Sequence, residues 1–220
     1  MPKRIWLVAV LSLSTVGVRA QNVFVPPAPP KAAPEAVRAG KAGARPTAAA
    51  ATSRVRIEVY AYSDGGFTFW EPSHDLNVRA RKIWPDDFDF DLTGRADKQD
   101  FSGNARSKFM RDPSWGYQLS GRGFDAALDK FGDGWILSGS LDQSGTGRQY
   151  FNYLIDRDFP RNNFRVWEQG LDLRIETTSF NSIIDGTIDP ALVPSRILAL
   201  LATAAGLINQ PKLRQDPRRP

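Results

Sequence analysis

A two-residue alternation of apolar and polar side chains, recurring over residues 55–188, is the feature that most constrains this chain. Val55, Ile57 and Val59 alternate with Arg56, Glu58 and Tyr60. Leu76, Val78 and Ala80 alternate with Asn77, Arg79 and Arg81, and Phe88, Phe90 and Leu92 with Asp87, Asp89 and Asp91. Successive side chains of a strand point to opposite faces, so each run makes a strand with one buried and one wet face. Further strands are expected over 150–156, 164–168, 171–176 and 180–188, separated by turn residues such as Pro160, Asn162, Asn163 and Gly170. One-sided strands joined by short turns build antiparallel sheets. The expected fold is mainly β: a curved or closed, barrel-like antiparallel meander with one C-terminal amphipathic α-helix. A two-sheet sandwich is the rival architecture.

Two local patterns predict register. If Pro85-Asp86-Asp87 is a three-residue loop, Trp84 faces Phe88, Lys82 faces Phe90, Ala80 faces Leu92 and Arg81 faces Asp91. An apolar face and a charge-matched face then emerge together, each cross-strand pair contributing roughly 0.2–1 kcal/mol. The same run, Asp86, Asp87, Asp89 and Asp91, offers oxygen ligands but lacks the Asp-x-Asp-x-Asp-Gly loop closing on Glu that calcium sites use. No metal and no cofactor is expected. The second pattern is Phe101-Ser102-Gly103, Leu119-Ser120-Gly121 and Leu137-Ser138-Gly139, spaced by eighteen residues. Read as one hairpin per period, it puts Tyr117, Leu119, Gly121 and Gly123 on one face, and likewise Trp135, Leu137, Gly139 and Leu141. Glycines in such a row curve a sheet or make room for aromatic rings.

The period changes near the end of the chain. Val193, Ile197, Leu200, Leu201, Ala204, Leu207 and Ile208 recur at three and four, with Arg196 and Thr203 outside the stripe. Pro194 suits a first helical turn and Pro211 lies beyond the last. This predicts an amphipathic helix of about four turns laid on an open sheet face or barrel side, sealing the concave side of the bent sheet.

The flanks organise the rest. Residues 1–20 have the parts of a signal peptide: Lys3 and Arg4, an apolar stretch over 5–18, and Val18-Arg19-Ala20 before a cut at Gln21. The stretch falls short of the roughly 20 residues that cross a bilayer. The mature chain is therefore expected to be exported, periplasmic or extracellular, without a transmembrane segment. Residues 21–54 form a Pro/Ala-rich linker, 55–208 the β-rich domain with its helix, and 209–220 a basic tail. The whole chain carries a net +5, yet residues 55–208 hold 17 basic against 22 acidic side chains. The excess positive charge sits on the ends, which excludes a nucleic-acid module and leaves the ends solvated or resting on an anionic envelope surface.

Absent Cys and a single His remove disulfides, thiol nucleophiles, iron–sulfur clusters and multi-histidine metal sites. His74 lies in Glu71-Pro72-Ser73-His74-Asp75, with the residue types of a triad but as direct neighbours, which rarely converge. Glu168, Asp172 and Glu176 share a spacing parity, with Gly170 turning the chain between them and Arg165 and Arg174 nearby. The aromatics are the better lead. Trp70, Trp84, Trp115, Tyr117 and Trp135, with His74, form the candidate ligand-binding set: inward rings line an apolar pocket, and outward ones stack on sugars. The expected function is an exported non-catalytic binding or envelope-associated protein for an apolar small molecule, a lipid-like ligand or an envelope component. The alternative is an exported glycan hydrolase, which needs two carboxylates roughly 5–9.5 Å apart. An outer-membrane barrel needs an apolar outer band, and ranks last.

Overall fold

The computed structural model describes residues 52–84, 87–109, 112–143, 147–158, 163–179 and 181–210. The expected signal peptide, nearly all of the expected linker and residues 211–220 lie outside the described residues. Twelve strands follow in order: β1 (Ser53–Ala61), β2 (Phe67–Glu71), β3 (Leu76–Lys82), β4 (Phe90–Ala96), β5 (Gln99–Phe109), β6 (Asp112–Gly121), β7 (Phe124–Phe131), β8 (Gly134–Gln143), β9 (Gly147–Asp158), β10 (Asn163–Glu168), β11 (Leu171–Thr177) and β12 (Asn181–Ile188). A single 3-10 turn, Pro72–His74, joins β2 to β3, and α1 spans Ser195–Ile208.

Every strand pairs antiparallel with the next, and β1 pairs with β12 from Ser53↔Ile188 to Tyr60↔Asn181, so the sheet is a closed barrel. Closure removes the sandwich alternative and leaves no open edge. The β3–β4 hairpin has the expected register, with Lys82 opposite Phe90, Arg81 opposite Asp91 and Ala80 opposite Leu92. Ile83 N donates to Asp89 O at 2.9 Å, carrying that register one pair further. The regular strand nevertheless opens at Phe90; Phe88 tucks inward at 5% exposure, beneath the Lys82 ammonium at 5.2 Å.

The eighteen-residue repeat is not a structural unit. Its glycines step from β5 to β6, one strand, and then from β6 to β8, two strands. The faces are as expected: Tyr117, Leu119 and Leu137 are fully buried and Trp135 nearly so. Gly123 belongs to the β6–β7 turn at φ +74° instead. Gly103 and Gly121 face each other across β5 and β6, and a Cβ on either would lie within 3 Å of the Phe124 ring. That ring stacks on Phe101 at 4.9 Å, so the paired glycines make room for it.

The helix seals the concave side of the sheet, as expected, and is enclosed further than that: it runs through the barrel, buried on every side from Ile197 to Leu207. It touches β1, β3, β4, β8 and β12, strands from opposite walls. Its first turn sits where Arg196 donates to Arg122 O; its end sits where Gly206 meets Phe67 and Asn209 Nδ2 donates to Asn181 O at 3.2 Å. A barrel of about eight strands is filled by its own side chains. Twelve leave an axial space, which a helix of about 10 Å diameter occupies. Thr203, outside the apolar stripe, is tolerated there because its hydroxyl donates to Ala199 O at 2.8 Å.

Strand direction alternates, so the connections fall at two ends. The entry end holds the start of β1, the β2–β3, β4–β5, β6–β7, β8–β9 and β10–β11 connections, and the first turn of α1. The exit end holds the β1–β2, β3–β4, β5–β6, β7–β8, β9–β10 and β11–β12 connections and the end of α1.

Candidate functional site

The six expected site residues fall in three places. Tyr117 and Trp135 belong to the barrel interior. The Tyr117 ring lies 6.4 Å from Phe90, and its buried hydroxyl has no partner among the described residues. Burial, with Asp89 adding to it, drives that phenol far above its usual range. Trp135 is covered by the Lys130 ammonium at 4.9 Å. Trp70 lies on the outer wall, 63% exposed, between Glu58 and Asn77. Trp84 and Trp115 are at the exit end. The inward aromatics thus belong to the packed side of the barrel, along which α1 runs.

His74 closes the 3-10 turn at the entry end. Glu71, 5% exposed, accepts from Ser73 N at 3.0 Å and His74 N at 2.7 Å, and its Oε2 lies 2.8 Å from His74 Nδ1. Burial alone would raise the Glu71 pKa, but the bonds from His74 and Ser73 outweigh it and hold the carboxyl below its ordinary range. Asp75 turns away, accepting from Lys98 N at 2.7 Å with Arg95 at 3.8 Å. Ser73, His74 and Asp75 form a turn capped by Glu71 and not a triad.

The other carboxylates are spread out. Glu168 pairs with Leu171 and Glu176 with Asn163, at opposite ends of the β10–β11 hairpin. Five strand residues separate them, about 16 Å, beyond the spacing of a glycosidase pair. Asp172 is gripped by Arg165 through two bonds of 3.1 Å, and Glu176 by Arg174 at 3.4 Å. The outer wall carries Arg79, Arg81, Asp91, Arg106, Asp125, Arg165 and Asp172, all exposed. That is the inverse of the apolar band of a membrane-spanning barrel.

The two ends differ in kind. At the entry end, Lys98, Gln99, Asp100, Arg122, Gly123 and Arg196 line an open cleft of about 400 Å³. Its charges are mixed, with Arg122 3.9 Å from Asp100. Burial lowers the Arg196 pKa, opposed by Asp142 and Asp97.

The exit end is aromatic. Tyr62 on the β1–β2 connection is 42% exposed, Trp84 on β3–β4 64%, Phe109 and Trp115 on the β5–β6 hairpin 56% and 61%, and Phe131 beside the β7–β8 turn 60%. The Phe109 and Trp115 rings lie 5.6 Å apart. A register shift between Ser107 and Phe109 turns this hairpin tip. Ser107 Oγ fixes it by donating to Phe109 O at 2.7 Å and Asp112 O at 3.1 Å. No entry-end connection has an exposed aromatic within it or directly beside it among the described residues.

No protein-family model, curated protein or solved structure matches this chain. What the barrel can do is read from its own residues. Phe109 and Phe131 were missing from the sequence-derived set, and their signal was available. Turns are built from Gly, Pro, Asn, Asp and Ser, so a large aromatic abutting Gly132, or three residues before Asp112-Pro113, is out of place unless something covers it.

Proposed function

We propose that this chain is an exported, non-catalytic, envelope-associated protein that binds an envelope component through the exit end of its barrel. The observation that carries this reading is the set of exposed aromatics at four exit-end hairpins, Tyr62, Trp84, Phe109, Trp115 and Phe131, whereas the exposed aromatics toward the entry end, Trp70, Tyr150 and Trp167, lie within strands. Burying such a side chain is worth roughly 1.5–3 kcal/mol, and clustered apolar side chains on a protein surface mark places where it is covered in use. With α1 in the interior, an apolar or lipid-like ligand is met at the surface. The only histidine is held in a turn capped by Glu71 and the glutamates are dispersed, which favours binding over hydrolysis. The signal-like first twenty residues and the proline-rich linker support export of a tethered domain.

The test compares the wild-type chain with a Trp84→Ser/Trp115→Ser double variant in cells, measuring the fraction retained with the envelope. The double variant is expected to lose retention by about tenfold, equivalent to about 1.4 kcal/mol, with an unchanged thermal midpoint. Trp167→Ser, on the outer wall and 73% exposed, is expected to behave as wild type. Equal retention of all three proteins would refute the assignment.

A further inference from the structure

We infer that the outer face of β6–β9 is a second binding site, a shallow trough that takes an uncharged sugar chain. It is separate from the exit end and does not rest on the role proposed above. The outward positions of these strands fall into line. Gln118 on β6 stands opposite Ala127 on β7, Ala127 opposite Ser138 on β8, and Ser138 opposite Asn152 on β9. The next outward pair towards the entry end is Ser140 and Tyr150. Short side chains on β7 and β8 make the floor, with Gln118 as one wall and Asn152 and Tyr150 as the other. Three strand spacings separate the walls, about 14 Å.

Two observations point to a ligand. Ser140 stands on the outer face, yet it is 7% exposed and its hydroxyl makes no hydrogen bond among the described residues. A buried hydroxyl normally has a partner, so this one is left for whatever enters the trough. Beside it the Tyr150 ring is 77% exposed, a platform for the apolar face of a sugar ring. The lining selects the chemistry. Gln118, Ser138, Ser140 and Asn152 offer donors and acceptors without charge, as sugar hydroxyls do. The ionised groups nearby are held by others. Asp125 accepts from Gln118 Nε2 at 2.8 Å, Asp142 pairs with Arg148 at 3.1 Å, and Asp129 pairs with Lys108. Arg106 lies on β5, beyond Gln118. An anionic chain would meet Asp125 with no cation on the floor to offset it. A peptide strand finds no free sheet edge to pair with, because the barrel is closed.

The test titrates the mature full-length chain with maltohexaose, cellohexaose and chitohexaose, uncharged chains of different linkage, and with hexagalacturonate as an anionic one. Binding is followed by calorimetry and by amide shifts in NMR. At least one uncharged chain is expected to bind with a Kd of about 1 mM or tighter, shifting amides over 125–129, 138–140 and 150–152. Hexagalacturonate should bind more weakly by about tenfold. Tyr150→Ser is expected to weaken binding by about tenfold, and Ser138→Arg, which fills the floor, to abolish it, both with an unchanged thermal midpoint. Trp84→Ser/Trp115→Ser should bind the sugar as wild type does, so failure of this site and failure of the exit-end role are read separately. Binding by none of the four chains, strongest binding by hexagalacturonate, or binding indifferent to both trough substitutions overturns the inference. Loss of binding in the Trp84/Trp115 variant overturns it too, because the sugar then sits at the exit end. So does a dimer in ultracentrifugation that Tyr150→Ser dissolves, because the face is then an interface between two copies.

Discussion

Gly206 shows how closely the helix and barrel are fitted. A Cβ at this position would lie 2.5 Å from the Phe67 ring, which is itself fully buried. Helix propensity alone makes Gly→Ala favourable by about 1 kcal/mol. Gly206→Ala is expected instead to destabilise by about 1–3 kcal/mol through overpacking, read by urea unfolding; a stabilised variant would mean that the helix has room. Glu71 makes a second residue-level prediction. Its folded pKa lies below its unfolded value, so its contribution is present above about pH 4.3 and is lost as pH falls through the folded value. Glu71→Gln should cost about 1–2 kcal/mol at pH 7, with the gap to wild type closing towards pH 3. A gap independent of pH would show that the carboxylate charge does not matter. The role of Glu71 was not legible in the sequence, because a carboxylate looks the same whether it caps a turn or faces water. His74 drew attention only as the sole histidine, and its environment is set by a carboxylate three residues earlier.

Strands were legible where one face is dry and the other wet. The β3–β4 register followed from one loop length, because a one-residue slip would turn Phe90 and Leu92 outward. The helix was legible in position, in length and in sealing the concave side, but not in being enclosed on every side. Its stripe of Ile and Leu reads as a single buried face, while Ala199, Ala202 and Gly206 on the opposite side read as neutral. At Gly206 that side lies directly against the Phe67 ring of the barrel wall. Ala202→Lys separates the two placements. On a helix laid against an outer wall the lysine would reach water at almost no cost. Inside the barrel it buries an unpaired charge, and a loss above about 3 kcal/mol is expected. A change below about 0.5 kcal/mol in urea unfolding would place that helix face in solvent.

The whole molecule follows from closure and filling. Twelve strands remove every sheet edge, and the axial helix occupies the space that closure would otherwise leave, so the proposed binding role falls to the rims. Strand parity cannot reveal this, since it says which side chains point inward and not whether a segment distant in sequence returns to occupy the space they face. The difference between the rims was present in the sequence as aromatics beside turn residues, and became interpretable once the meander assigned alternate turns to opposite ends. Hydrogen–deuterium exchange of the mature protein with and without isolated envelope tests this account most directly. It predicts new protection in the connections around Trp84, Phe109, Trp115 and Phe131, with no change at 72–75, 97–98 and 122–123 and slow exchange throughout α1 in both states. Protection confined to the entry end, or an α1 that exchanges freely until a ligand is added, would contradict it.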